Sequence, residues 1–113
     1  MPFDKEAEAL RDIQENIEAI QGFVAGLDFE KFKSDRLSFY AVVRGLEIVS
    51  EASRKLSPEF KARHHSLGWK QIADAGNVYR HMYRLVKPSR VWETVSDYLP
   101  PLLRIVREEL ARR

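Results

Sequence analysis

A chain of 113 residues, with 44% hydrophobic and 32% charged side chains, is sized and composed for one soluble domain spanning residues 1–113, which excludes a disordered polymer. It has no cysteine, so disulfides and thiolate metal centres are excluded, and the absence fits a reducing, cytoplasmic setting. The formal net charge of +2 is ordinary for this length and permits an anionic partner without demanding one; no secretory leader is expected, and no apolar run approaches the ~18 residues of a membrane span.

Leu10, Ile13, Ile17, Ile20, Val24 and Leu27 recur at steps of three or four, the signature of one apolar helix face. Asp4 is placed to cap that helix and Gly26 to end it. A polar connection follows, from which Phe29 and Phe32 are expected to pack back onto the core. Ser34 or Asp35 opens a second helix reaching about Leu56. Its apolar residues Leu37, Ala41, Ile48 and Ala52, flanked by Val42, Val43, Leu46 and Val49, cover a face wide enough for more than one neighbour.

Ser57-Pro58-Glu59 is a helix start, with a capping hydroxyl followed by proline at the first helical position, and the short helix it opens ends near His64-His65. Gly68-Trp69 opens the fourth main segment, which runs to Tyr83 or Arg84. Pro88-Ser89 resets the chain, and Ser89 is expected to cap a long last helix whose buried face is Val91, Val95, Leu99, Leu102, Val106 and Leu110. Pro100-Pro101 lies inside it and predicts a kink or break near Tyr98. No segment alternates with period two for long, so the expected architecture is an all-α antiparallel bundle of four main helices plus a short one.

The chemistry-bearing residues concentrate in Gly76 to Tyr83. An unperturbed imidazole titrates near neutrality, so His81 is the candidate to take and give a proton. Asn77 lies one turn earlier on the same face, and its amide suits orienting an imidazole or binding a phosphate oxygen. Arg80 is adjacent and suits a phosphate clamp. Tyr83 shares that pocket only if the helix has ended before it. The bland alternative is a solvated polar helix end.

Arg44, Glu47 and Glu51 form a charged stripe on the second helix, read either as an ordinary ion pair or as the lining of a cleft beside His81. Trp69, Tyr79, Tyr83 and Trp92 have faces that bases can stack on, though aromatics at this density chiefly fill cores and interfaces. His64 and His65 are neighbours that point apart, and no His-x-x-x-His pair or Gly-rich phosphate loop occurs, so neither a metal site nor a cofactor is expected.

The run from Tyr40 to Ala52, the segment Gly68 to Ala73, Asn77 to Tyr83, Val91 to Val95 and Tyr98 to Pro100 together resemble the HepT-like proteins of the HEPN superfamily, small all-α toxins of bacteria and archaea. The resemblance runs from about Arg11 to Leu110. It implies a homodimer acting on RNA as a metal-independent endoribonuclease, paired with a small nucleotidyltransferase antitoxin. It assigns Asn77, His81 and Tyr83 to the family signature, with Tyr83 at the position that the antitoxin can modify with adenylate; such a group would add bulk and negative charge. The signature's arginine falls on Gly76, leaving Arg80, or a residue of the partner protomer, to stabilise charge on the phosphorane. An RNase with a rearranged cation and a non-catalytic dimer that binds RNA, nucleotide or the nucleotidyltransferase both stay open, beside a bare scaffold.

Overall fold

The computed structural model describes residues 4–113. Among them every regular element is helical: α1 (Lys5–Val24), α2 (Phe29–Ser34), α3 (Arg36–Ser53), α4 (Pro58–Arg63), α5 (Trp69–His81), α6 (Pro88–Glu93) and α7 (Leu99–Arg112). The all-α reading therefore holds. No helix among these residues is long and apolar enough to cross a membrane.

Short polar side chains set the starts. Asp4 accepts from the Ala7 amide at 3.0 Å, Asp28 from Lys31 at 2.9 Å, Asp35 from Ser38 at 3.3 Å and Ser57 from Phe60 at 3.1 Å. Each satisfies a first-turn N–H that has no helical acceptor. The Asp28 cap converts the expected polar connection into α2, so the bundle has two short helices and not one. Phe32 is fully buried from it, as expected of a ring packing back. Ser89 does not cap the last helix: Pro88 takes the first helical position and Lys87, without a side-chain bond, precedes it.

The α-helix is interrupted near Tyr98, where the prolines predict a kink or a break. A single π-helical turn, Thr94–Tyr98, joins α6 to α7, with the Leu99 N–H reaching back five residues to the Thr94 carbonyl. Pro100 and Pro101 then occupy the first turn of α7, where a missing N–H costs least. The widened turn makes room for the proline ring against the preceding carbonyls.

α1 and α3 form the central antiparallel pair; α7 packs on α1, and α5 packs on α3. Ile13, Ile17 and Ile20 of α1 are fully buried against the α3 face that holds Val42, Val43, Leu46 and Val49. Leu37, expected on that face, is instead 79% exposed, because it sits in the first turn of α3 beyond the core. Small residues let both neighbours approach α3 closely. A Cβ built on Gly45 would lie 2.7 Å from Ile20 Cγ1, and one on Gly76 would lie 2.5 Å from Ser50 Oγ and 2.8 Å from Ser50 Cβ.

The α3–α5 contact is made of polar atoms. Ser50 Oγ accepts from the Gly76 N–H at 3.1 Å and donates to the Ala73 carbonyl at 3.0 Å, and Arg54 donates to the same carbonyl at 2.7 Å. Trp69 Nε1 donates to the Lys61 and His64 carbonyls at 3.1 Å, fixing the start of α5 against the end of α4. Gly76 is the one buried residue of α5.

Just beyond the C-terminal end of α3, the start of α1 and the end of α7 are clasped together. Arg113 pairs with Glu6, with Asp4 at 3.4 Å and with Glu109 at 3.2 Å, and Glu6 also accepts from the Ser57 N–H. Burial pushes the Glu6 carboxyl up, but the Ser57 bonds and Arg113 outweigh it and hold the group below its ordinary value of 4.5. A depressed carboxyl contributes stability that is present above that value and lost as pH falls below it. Glu6→Gln is therefore expected to lower the melting temperature at neutral pH, with the difference from wild type shrinking on acidification.

In an open helix position Gly→Ala gains about 1 kcal/mol. At position 76 the overlap with Ser50, costing roughly 1–3 kcal/mol for overpacking, exceeds that gain, so Gly76→Ala is expected to be destabilising. In a Ser50→Gly background the same substitution is expected to become neutral or stabilising. Urea denaturation of the four chains of that cycle measures the reversal.

Candidate active site

α5 ends at His81, with Met82 leaving helical geometry at φ −123 and ψ 36, and a tight 3-10 turn, Tyr83–Leu85, follows. The expected run to Tyr83 or Arg84 is two or three residues too long, and the early end is what turns Tyr83 back toward α3. The helix dipole places partial negative charge at this end, beside the basic residues Arg80 and His81.

His81 and Asn77 are both exposed, one turn apart on the solvent side of α5, and neither side chain has a hydrogen-bond partner among the described residues. Arg80 projects to a different neighbourhood. With Arg44, Glu47, Glu51 and Lys55 of α3 and its C-terminal turn, and Asp12 of α1, it lines a polar recess of about 170 Å³. Arg44 donates to Glu47 at 3.3 Å, so the ion pair expected from their spacing is present inside this recess, and the Glu47 side chain is only 17% exposed. The charged stripe of α3 thus meets Arg80, while His81, Asn77 and Tyr83 lie outside the recess lining. No carboxylate lies within 4.0 Å of the Arg80 guanidinium among the described residues, leaving it unpaired.

Tyr83 is half-buried, with its ring stacked on Tyr40 at a centroid distance of 5.5 Å and an interplanar angle of 9°. Phe39 meets both rings by an edge, at 6.0 Å from Tyr83 and 6.4 Å from Tyr40, and itself packs 5.9 Å from the buried Phe32. Arg36 Nη2 donates to the Tyr40 hydroxyl at 2.8 Å. Tyr40, Phe39 and Arg36 carry no motif that singles them out; the only sequence cue is the four-residue spacing of Arg36 and Tyr40 at the start of α3.

These neighbours separate the two phenols. Burial, then the Tyr40 side chain, pushes the Tyr83 phenol up to about 12. The Arg36 hydrogen bond pulls the Tyr40 phenol down. Burial also raises the Tyr79 phenol of α5, partly offset by the Thr94 side chain.

A second concavity of about 670 Å³ opens between α5 and the α6–α7 segment, lined by Leu46, Ile72, Tyr79, Arg90, Glu93 and Tyr98 among others. It contains no histidine, and of the chemistry-bearing residues noted in the sequence it holds only the aromatic Tyr79. Among the described residues no group of three or more His, Asp or Glu side chains is placed to hold a metal ion.

The family described as Ribonuclease HepT-like matches residues 13–109 of the chain. A protein of Thermococcus cleftensis named probable ribonuclease HepT is 37% identical over 93 residues, covering 82% of this chain and 84% of that protein. A candidate RNase of Caldanaerobacter subterraneus subsp. tengcongensis is 35% identical over 103 residues, covering 91% of this chain and 92% of its own length. A third relative, from Methanocaldococcus jannaschii, is named as a gamma-glutamylcyclotransferase and candidate RNase; it is 29% identical over 82% of this chain, which spans 42% of that protein. No solved structure matches.

In a spectrophotometric titration of the four tyrosines, the Tyr40 phenol is expected to ionise early and the Tyr83 phenol last. Arg36→Ala removes the cation that favours tyrosinate, so it is expected to shift the early step to higher pH, and Tyr40→Phe to delete that step.

Proposed function

The chain belongs to the HepT-like ribonuclease family, and from that membership we propose that it is a metal-independent endoribonuclease, the toxin of a toxin–antitoxin pair. The observation that carries the reading is the state of the α5 end: His81 and Asn77 face solvent unengaged, and Arg80, which lines the separate recess against α3, has no carboxylate partner. A polar cluster kept free of intrachain partners is available to a phosphodiester.

In this mechanism His81 takes the proton of a ribose 2′-hydroxyl as that oxygen attacks phosphorus. The bond from phosphorus to the 5′-oxygen breaks, and the leaving oxygen acquires a proton from the imidazolium or from water. The products are a 2′,3′-cyclic phosphate and a 5′-hydroxyl. Asn77 orients the imidazole or holds a non-bridging oxygen, and Arg80 stabilises the phosphorane charge.

Arg80 takes this part because position 76 has no room for the signature's arginine. The Gly76 backbone lies against Ser50, where even a methyl group overlaps. A guanidinium on α5 must therefore come from elsewhere, and Arg80 is on the next turn beside His81.

We also assign the working state to a homodimer, with a small nucleotidyltransferase as antitoxin and Tyr83 as the adenylate acceptor. Val78, Met82 and Leu85 are large apolar side chains exposed at 41%, 49% and 66% around the end of a helix that packs chiefly on one neighbour. A second copy would cover them, bringing two His81 side chains toward one groove. The competing reading, a non-catalytic dimer that binds RNA or the nucleotidyltransferase, is favoured by one observation: the signature position holds a packed glycine and no cation.

RNA cleavage in the presence of a chelator separates the two. His81→Ala is expected to lower the rate by about 10²–10⁴-fold, and Arg80→Ala by about 10²–10³-fold. Full activity in Arg80→Ala removes Arg80 from the mechanism. Intact RNA with both wild type and His81→Ala, over a wide protein range, leaves the non-catalytic module as the reading. Light scattering should return twice the 13.2 kDa chain mass.

A further inference from the structure

Arg36 and Tyr40 have no part in the scheme above, yet they sit against Tyr83. Tyr83 follows His81 by two residues, at most ~7 Å of chain. Tyr40 is 45% exposed although its ring is stacked on Tyr83, and the guanidinium of Arg36 lies at its hydroxyl end, 5.5 Å from the ring centroid. The neighbouring Leu37 is 79% exposed.

A purely structural aromatic cluster has no need of this arrangement. Phe39 already anchors Tyr83 to the core through Phe32. The additional Tyr40 ring is held out at the surface, fixed by Tyr83 on one side and by Arg36 at its edge. Parallel stacking is itself a geometry aromatic pairs favour, and here it still leaves Tyr40 45% exposed. A flat ring with a cation at its edge matches one nucleotide of a single strand. The base stacks on the ring or on the adjoining guanidinium plane, and the guanidinium meets the phosphate.

We propose that Tyr40, stacked on Tyr83 and edged by Arg36, is a nucleobase-binding subsite for a nucleotide flanking the RNA phosphate held at His81. The subsite rests on the RNA-cleaving reading above and adds to it a substrate contact on α3, outside the signature segment. Its ligand is an unpaired base of a single-stranded RNA. Because stacking has no hydrogen-bond code, the contact tolerates any base and selects against duplex.

The test uses a His81→Ala background, in which RNA stays intact, and follows binding of a fluorescent single-stranded oligoribonucleotide by anisotropy. Tyr40→Phe keeps the ring and is expected to bind within about twofold of its parent, whereas Tyr40→Leu is expected to lose about tenfold or more. Arg36→Ala is expected to weaken binding and to reduce the slope of log affinity against log salt by about one. An oligonucleotide with abasic sites should bind the parent weakly and be insensitive to Tyr40→Leu. Melting curves verify that each variant folds, as an exposed position allows.

Equal binding by Tyr40→Leu and its parent, with wild type still cutting RNA, overturns the subsite and leaves the nuclease reading standing. A wild-type chain that neither binds nor cuts RNA overturns both. A Tyr40→Leu chain that changes oligomeric state, while abasic and ordinary RNA bind alike, assigns this surface to protein contact and overturns the subsite.

Discussion

The position of every candidate residue depends on how closely α5 can lie on α3. Ser50 settles that distance. Its hydroxyl occupies the space where a Cβ at position 76 would be, and it bonds both the N–H of Gly76 and the carbonyl of Ala73. Trp69, Ile72 and Tyr79 of α5 are only partly buried against the core, so its attachment combines that packing with this polar contact, Arg54 and the Trp69 indole hydrogen bonds. A buried hydroxyl with both roles filled is stable in place; losing one partner would leave a desolvated group worth about 1–3 kcal/mol. The other flank of α3 uses the same device in apolar form, with Gly45 beneath Ile20. One helix thus seats two neighbours through small residues, and the helix that carries the candidate residues is the one also held by hydrogen bonds.

That arrangement explains which parts of the fold could be read directly from the chain. The α1 face from Leu10 to Ile20, the caps Asp4 and Ser57 and the proline after Ser57 act through local chemistry, and each does in the structure what its spacing implies. The misread places depend on contacts distant in sequence or on subtle backbone choices. Phe29 to Ser34 is helical because Asp28 caps a segment too short to show periodicity. The interruption that Pro100 and Pro101 predict near Tyr98 takes the form of a π turn, a backbone choice that the prolines alone do not specify. Leu37 has the character of a core residue and no core beside it.

The candidate site divides along the same line. Asn77, Arg80, His81 and Tyr83 are found from their own segment, but their directions are not. The helix frame sends Arg80 toward Glu47 and Glu51 and sends His81 to solvent. Tyr83 turns onto Tyr40 only because α5 ends at His81, a boundary that no capping residue announces. Tyr40 and Arg36, placed 43 and more residues away in sequence, could be joined to Tyr83 only by the antiparallel passage of α3 against α5. Glycine at 76, which in the sequence looks like a missing cation, is in three dimensions a packing requirement.

The clasp around Arg113 has a practical meaning. Asp4, Glu6, Glu109 and Arg113 gather at the pole of the bundle where α3 ends, while Arg36, Tyr40 and Tyr83 occupy the pole where it begins. The 18 residues of α3 hold the two poles about 27 Å apart. A fluorophore or surface tether attached to an exposed side chain of the Arg113 pole would thus sit the length of α3 away from the stacked tyrosines and leave them unobstructed.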